Sequence, residues 1–239
     1  SANTSWGKTL ADFIQKPEVK QSKLTWTSLR AKSQDESILR TLERPFMKSG
    51  GIKVLSGNLG KAVIKVSAVS ENNLNISAKA MIFSSQEEVK EAFNSGKLDR
   101  DVIVVVKGQG PKANGMPELH SLTPILGVLQ EKGFKVALVT DGRMSGASGK
   151  IPAAIHLYPE AKEDGPISKL KDGDLIELNS ETGVLRTDVD LNNRTSKTVS
   201  LDKTQGGFGR ELFSVLRSNA NCAEMGGGIN TLEKTHGNE

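Results

Sequence analysis

Apolar and polar side chains alternate between residues 61 and 69, with Val63, Lys65 and Ser67 set against Ile64, Val66 and Ala68. A period of two predicts a strand with one buried face. Residues 52–55 form a preceding strand, and Gly57-Asn58 supplies the turn between the two. Residues 74–83 predict a third strand. The stretch Ser85-Gln86-Glu87-Glu88 is a capping box that opens a helix running to Asn94, with Gly96 as its stop. DVIVVVK, residues 101–107, is an unbroken apolar and β-branched run, the pattern of a strand covered on both faces. A glycine- and proline-rich loop follows over 108–117. The next helix is entered at Thr123, carries Pro124 in its first turn and closes near Gly133. Residues 134–139 form a second buried strand, and a second loop rich in glycine and serine covers 140–150.

Strand, helix and strand joined this closely imply a right-handed parallel crossover. Both loops then leave the C-terminal ends of neighbouring parallel strands, the edge where open α/β sheets bind ligands. Beyond Lys150 the pattern changes: residues 174–178 and 184–189 flank Asn179 to Gly183 as a hairpin. A last amphipathic helix over 208–217 is expected to bury Leu212, Phe213, Val215 and Leu216 in some combination. Residues 1–45 lack sustained periodicity apart from a short helix over 35–43, halted before Pro45. They read as a connecting segment, and residues 46–239 as the domain proper. The expected fold is mixed α/β: a curved or barrel-like sheet with flanking helices and a parallel crossover unit.

Composition narrows the function. Of 239 residues, 36% are hydrophobic and 25% charged, which suits a globular chain rather than a disordered one. No apolar run reaches the length of a bilayer-spanning helix, and the opening Ser1-Ala2-Asn3-Thr4 carries no export pattern, so the cytoplasm is the default compartment. The net charge of +4 raises the question of nucleic acid. Basic residues are interspersed with acidic ones, however, and only 4% of residues are aromatic, which leaves few stacking platforms. A small anionic substrate accounts for that charge equally well. Cys222 is the single cysteine, so an internal disulfide framework or a centre built on several of the chain's own thiolates is excluded.

The candidate chemistry lies in the two loops. In the first, GQGPKANGMPELH, spacing alone makes Glu118 a helix-start carboxylate favoured by the dipole. In the second, VTDGRMSGASGK, Ser145 to Lys150 resemble an anion nest of small residues with free amides. Walker spacing fails at Met144 and Ile151, a nucleophile elbow fails because Ser145 is misplaced, and a dinucleotide fingerprint fails at Ala113. His120, His156 and Cys222 read as packing residues.

Taken together, GPKANGMPELH at 110–120, LVTDGRMSGASGKIPAAIH at 138–156 and the trailing Pro159-Glu160-Ala161 resemble the family of dihydroxy-acid and 6-phosphogluconate dehydratases. GNLGKAVIKVSAV at 57–69 and LDRDVIVVV at 98–106 match as well, and the likeness runs from about Leu42 to about Leu216. The dihydroxy-acid branch is similar to GPKGGPGM-x-E in the first loop and SGG-T in the second. Here Lys112-Ala113-Asn114 precede Gly115-Met116, and Ala147 to Pro152 follow Ser145-Gly146. Both variants are similar to the phosphogluconate branch.

The resemblance implies dehydration of 6-phosphogluconate to 2-keto-3-deoxy-6-phosphogluconate, a step of the Entner–Doudoroff pathway. It implies an iron–sulfur cluster acting as Lewis acid on the leaving hydroxyl, and Mg²⁺ or a similar divalent cation on the developing enediolate. Glu118 matches a ligand of that cation, and Ser145 matches the general base, working as an alkoxide favoured by nearby cationic charge. From their place in the loops, Lys112, Arg143 and Lys150 are candidates for the substrate carboxylate or phosphate. Family members are more than twice as long, with their cluster cysteines in an N-terminal domain. The expectation is therefore a fragment, inactive alone, whose full-length form is a homodimer. The contrasting reading is a stand-alone phosphate- or sugar-acid-binding module.

Overall fold

The computed structural model describes residues 13–28, 32–144, 149–196 and 207–229. It divides into two compact units, Ser1–Ser49 and Gly50–Glu239. In the first unit, β1 (Gln15–Lys20) and β2 (Lys23–Ser28) form an antiparallel hairpin. Its two-residue turn puts Gln21 and Ser22 at φ 49° and 59°, the mirror-image geometry that suits the strand twist. The sequence pattern missed this hairpin because neither turn residue is glycine, asparagine or aspartate. Residues 35–43 do not form the expected helix. The Asp35 carboxylate accepts from the Ser37 amide at 2.8 Å and from its hydroxyl at 2.6 Å. Isolated turns close on the carbonyls of Asp35 and Thr41, with no helix between them. A side chain that captures the local amides competes with helix propagation in this way.

The second unit is built on a closed, eight-stranded barrel. Its strands are β3 (Ile52–Gly57), β4 (Gly60–Lys65), β5 (Asn75–Phe83), β6 (Val102–Val106), β7 (Val136–Thr140), β8 (Ala153–Tyr158), β9 (Leu175–Asn179) and β10 (Val184–Thr187). Around the barrel they run β10, β3, β4, β8, β7, β6, β5, β9. The β5–β6, β6–β7 and β7–β8 pairs are parallel, as is β10–β3, and the rest are antiparallel. The mixed α/β, barrel-like architecture read from the sequence is the one observed, as is the hairpin of β9 and β10. Strand β8 follows the second loop, partly within the motif at 138–156, and was not anticipated.

Alternation fills the interior. Leu55, Ile64, Ile76, Ile103, Val139 and Leu178 point inward, interleaved with the small Ala62, Ala78, Ala80, Ala137 and Ala154. A barrel of this strand number has room for side chains and little else, so large and small residues must complement one another. The outer face of β6 and β7 is covered by α1 (Gln86–Asn94) and α3 (Leu122–Glu131). There Val102, Val104, Val106, Val136 and Leu138 meet Val89, Leu126 and Leu129. This second layer is why the two strands read as continuous apolar runs. The α1 cap is as expected: the Ser85 hydroxyl accepts from the Glu88 amide at 3.3 Å, and Gly96 ends the helix at φ 71°.

Two expectations fail at the ends of elements. The alternating strand over 61–69 stops at Lys65. The last helix is two short pieces, α4 (Phe208–Leu212) and α5 (Ser214–Ser218), and Leu212, Phe213, Val215 and Leu216 are 42–66% exposed rather than buried. Among the described residues no helix is long and apolar enough to cross a membrane.

The barrel closes at its weakest pairing. Strands β10 and β3 share one register pair, Val184 with Ser56. The Asn58 side chain extends that seam, donating from Nδ2 to the Thr187 carbonyl at 2.8 Å and accepting from the Thr187 amide at 2.9 Å. Gly57 lies so close to β10 that a Cβ would stand 2.0 Å from the Leu185 carbonyl oxygen. Asn58→Ala removes both side-chain bonds and is expected to cost about 1–2 kcal/mol, read as a lower urea midpoint; an unchanged midpoint would place closure elsewhere.

Candidate active-site loops

The first loop leaves β6 and the second leaves β7, and these strands are adjacent and parallel, so both loops emerge at one edge. Their junction is a buried carboxylate. Asp141, the first residue after β7, is fully buried. It accepts from the amides of Gly108 at 3.0 Å and Gln109 at 2.9 Å in the first loop, and from the amide of Ala161 at 3.0 Å. Burial pushes its carboxyl above the ordinary value, against the pull of those three N–H groups.

Glu160 forms a second junction beside it. This carboxylate, 1% exposed, accepts from the amides of Lys112 at 3.0 Å and Ala113 at 3.1 Å. It thereby caps α2 (Pro111–Asn114), a short helix inside the first loop that the sequence reading treated as irregular. Burial raises the Glu160 carboxyl, and the neighbouring charges of Asp141 and Glu163 add to the effect. Gly110 makes the approach possible: a Cβ there would stand 2.1 Å from Glu160 Oε2. A third polar thread runs from Gln109, whose Nε2 donates to the Ser84 carbonyl at 2.7 Å and whose Oε1 accepts from Asn114 at 2.9 Å.

Glu118 is not at a helix start; α3 begins at Leu122. Instead residues 118 and 143 pair as an isolated parallel bridge. The Leu119 amide donates to the Arg143 carbonyl at 3.0 Å. Arg143 donates from Nε to the Met116 carbonyl at 2.9 Å, and its Nη1 lies 3.8 Å from Glu118 Oε2. The Glu118 backbone is therefore paired with the second loop, and its carboxylate faces Arg143 across a loose ion pair rather than a helix dipole. Both side chains remain partly open to solvent, so the pair itself contributes little to stability.

The other predicted residues divide. Lys112 is engaged by Glu163, which raises its ammonium's pKa and competes with any anionic ligand. Lys150 is exposed. Ser145 and the rest of the nest, 146–148, lie outside the described residues. Its flanks are placed: Met144 is buried, and Gly149 packs where a Cβ would lie 3.3 Å from the Lys65 side chain. His156, set aside in the sequence, has a structural part. Its amide donates to the Gly142 carbonyl at 2.8 Å, pinning the second loop to β8, while burial and then the charge of Arg143 lower its pKa. Sequence reasoning missed Asp141 and Glu160 as organising residues. The available signal was an aspartate directly after a buried strand and a glutamate after Pro159, both facing glycine-rich backbone rich in free amides.

The residues present were also weighed against the expected cofactors. A cluster held by several thiolates does not fit a chain whose only cysteine is Cys222. Glu118 offers a hard oxygen ligand suited to Mg²⁺, but among the described residues no group of three metal-ligating side chains gathers.

Gly110→Ala is expected to force the Glu160 cap apart and lower stability by about 2 kcal/mol or more, seen as a reduced thermal midpoint. The buried acids also set a pH dependence. Because the folded Glu160 and Asp141 carboxyls sit above their unfolded values, the folded chain binds more protons across the interval between the two. Their contribution to stability should rise as pH falls through that interval and be lowest above the raised folded value. Glu160→Gln should flatten this component of urea midpoint against pH; an unaltered slope would refute it.

Comparison with known proteins agrees with the loops. The family model described as dihydroxy-acid/6-phosphogluconate dehydratase C-terminal matches residues 37–227. The phosphogluconate dehydratase of Rhizobium meliloti (strain 1021) is 52% identical over 200 residues, covering 82% of this chain and 33% of that protein. The phosphogluconate dehydratase of Escherichia coli (strain K12) is 50% identical over 227 residues, covering 94% and 38%. The dihydroxy-acid dehydratase of Wolinella succinogenes is more distant, 37% identical over 196 residues, covering 80% and 35%. The chain thus spans roughly a third of the length of these relatives. With a family model matched over 37–227, and with the loops that carry its motifs emerging side by side from one edge of the barrel, this chain belongs to the C-terminal domain family of the dihydroxy-acid and 6-phosphogluconate dehydratases.

Proposed function

We propose that this chain is the C-terminal domain of a phosphogluconate dehydratase, a hydro-lyase that removes water from 6-phosphogluconate to give 2-keto-3-deoxy-6-phosphogluconate. The observation that carries the reading is the bridge between Glu118 and Arg143, which sets the glutamate of one motif against the loop that contains the serine of the other. Relatives named phosphogluconate dehydratase at 50–52% identity support this branch over the 37% identical dihydroxy-acid dehydratase. The relatives named above are all dehydratases, which favours catalysis over a stand-alone binding module.

The reaction breaks the C2–H bond, forms an enol between C2 and C3, and releases hydroxide from C3; the enol then tautomerises to the 2-keto acid. In this reading Ser145 takes the C2 proton as an alkoxide. Arg143, two residues before it, and Lys150, five residues after it, supply the positive charge that favours the ionised hydroxyl and attracts the sugar acid. Glu118 presents a carboxylate oxygen to a divalent cation such as Mg²⁺, and its partner Arg143 keeps that oxygen oriented. Lys112 contributes to substrate only by exchanging Glu163 for it. When bound, the iron–sulfur cluster supplies Lewis acidity at the C3 hydroxyl. Its thiolates come from an N-terminal domain of the kind that accounts for the relatives' greater length, with residues 1–45 as the connection and a homodimer in the cytoplasm as the assembled form.

In the full-length protein, Glu118→Gln is expected to lower kcat/KM for 6-phosphogluconate by about a hundredfold or more with the far-ultraviolet spectrum unchanged. The isolated 239-residue chain should show no turnover. Wild-type rates in the variant, or turnover by the chain alone, would each overturn the assignment.

A further inference from the structure

Between α2 and the pair α4 and α5 lies a cavity of about 430 Å³, within the size range of small-molecule sites. Asn114, Met116, Arg210, Phe213, Arg217 and Ile229 are among its lining residues; among the described residues the lining includes two arginines and no carboxylate. Arg210 donates from Nη1 to Asn114 Oδ1 at 2.6 Å, while its Nε is buried without a hydrogen-bond partner. Arg217 donates from Nη2 to the Arg210 carbonyl at 2.6 Å. Among the described residues neither guanidinium has an acidic partner. Burial, and then the charge of Arg217, lower the pKa of Arg210.

Two cations gathered at a cavity without a counter-charge, one with an unused donor, form a site that an anion would complete. A carboxylate neutralises one of them. A phosphomonoester carries close to two negative charges and enough oxygens to meet both planar forks. The location is also informative. Met116 lines the cavity, and its carbonyl accepts from Arg143 Nε at 2.9 Å. Residues 116 and 118 are separated by at most about 7 Å of chain, so the cavity lies one side chain away from the Glu118–Arg143 pair.

We propose that Arg210 and Arg217 hold the phosphomonoester of the sugar-acid substrate in this cavity, with the reacting end of the substrate directed past Met116 toward Glu118. The assignment deepens the dehydratase reading and rests on it for the identity of the substrate. Asn114 is then a positioning residue. It holds Arg210 and is itself held by Gln109, whose amide is bound to Asp141.

Two measurements separate the cavity from that reading. Calorimetric titration of the chain with inorganic phosphate and with gluconate should show phosphate binding, weakened about tenfold or more in Arg217→Gln. Arg210→Lys, which keeps the charge and loses the fork, should be weakened less than Arg210→Gln. Absence of phosphate binding by the wild-type chain overturns the cavity assignment whatever the enzyme does. In the full-length holoenzyme, the ratio of kcat/KM for 6-phosphogluconate to that for gluconate should fall about ten- to a hundredfold in Arg217→Gln, chiefly through KM. An equal loss on both substrates means a structural role and overturns the proposal. A wild-type holoenzyme that binds phosphate but does not dehydrate 6-phosphogluconate would remove the substrate assignment and the dehydratase reading while leaving the phosphate site intact.

Discussion

The carboxylate of Asp141 ties the end of β7 to the first candidate loop and to the turn after β8. It lies where β7 ends and the second loop begins, and its two oxygens accept amides from the first loop and from the turn after β8. Three backbone donors with no access to water must find an acceptor, and one ion meets all of them. Burying that ion is expensive, and its raised carboxyl reflects the cost. In return, the glycine-rich first loop and the turn after β8 are both anchored to the end of β7. Glu160, beside it in space, repeats the device and fixes α2 through two more amides. Glu118, Arg143 and Asn114 all stand on backbone that these two acids position.

This dependence explains which parts of the fold were legible in the sequence. Elements governed by period were readable: the alternating strand through Ile64, though it ends at Lys65, the VIVVV run of β6, and the Ser85 cap of α1 each follow from local pattern. Elements governed by partners were not. The β1–β2 turn uses Gln21 and Ser22 in a conformation usually given to glycine or asparagine. Strand β8 carries His156 at φ 57° and has proline on either side, which masks its local strand pattern. The amphipathic pattern over 208–217 encodes an apolar face, but a pattern cannot state what covers it, and that face is exposed in this chain.

The same division applies to the candidate site. Glu118 and Arg143 were singled out because their motifs are specific, yet the local reading of Glu118 as a helix-start carboxylate does not hold, because α3 begins at Leu122. Its environment comes from a bridge to a residue 25 positions later in the chain, formed only because β6 and β7 are parallel neighbours. Asp141 and Glu160 were passed over because their part depends on burial and on backbone donors, which the sequence signals only indirectly, by an aspartate directly after a buried strand and a glutamate after Pro159. Lys112 shows what a loop pattern leaves out: a cation in the first loop whose ammonium is engaged by Glu163.

Asn114 joins the loop architecture to the question of substrate. It lies in the stretch Lys112-Ala113-Asn114, where the first loop is similar to the phosphogluconate branch and departs from the dihydroxy-acid pattern. Its amide is shared between Gln109 on the barrel side and Arg210 on the side of α4. A residue in this position converts loop sequence into arginine orientation: with the amide held by Gln109, Oδ1 is left facing outward as an acceptor for a guanidinium. A glycine in its place would offer no such acceptor, and Arg210 would lose the contact that fixes its fork beside Arg217. Recognition of a phosphate at one end of a substrate and recognition of a sugar acid at the other can thus be linked through a few side chains, each anchored ultimately to the buried carboxylate at the end of β7.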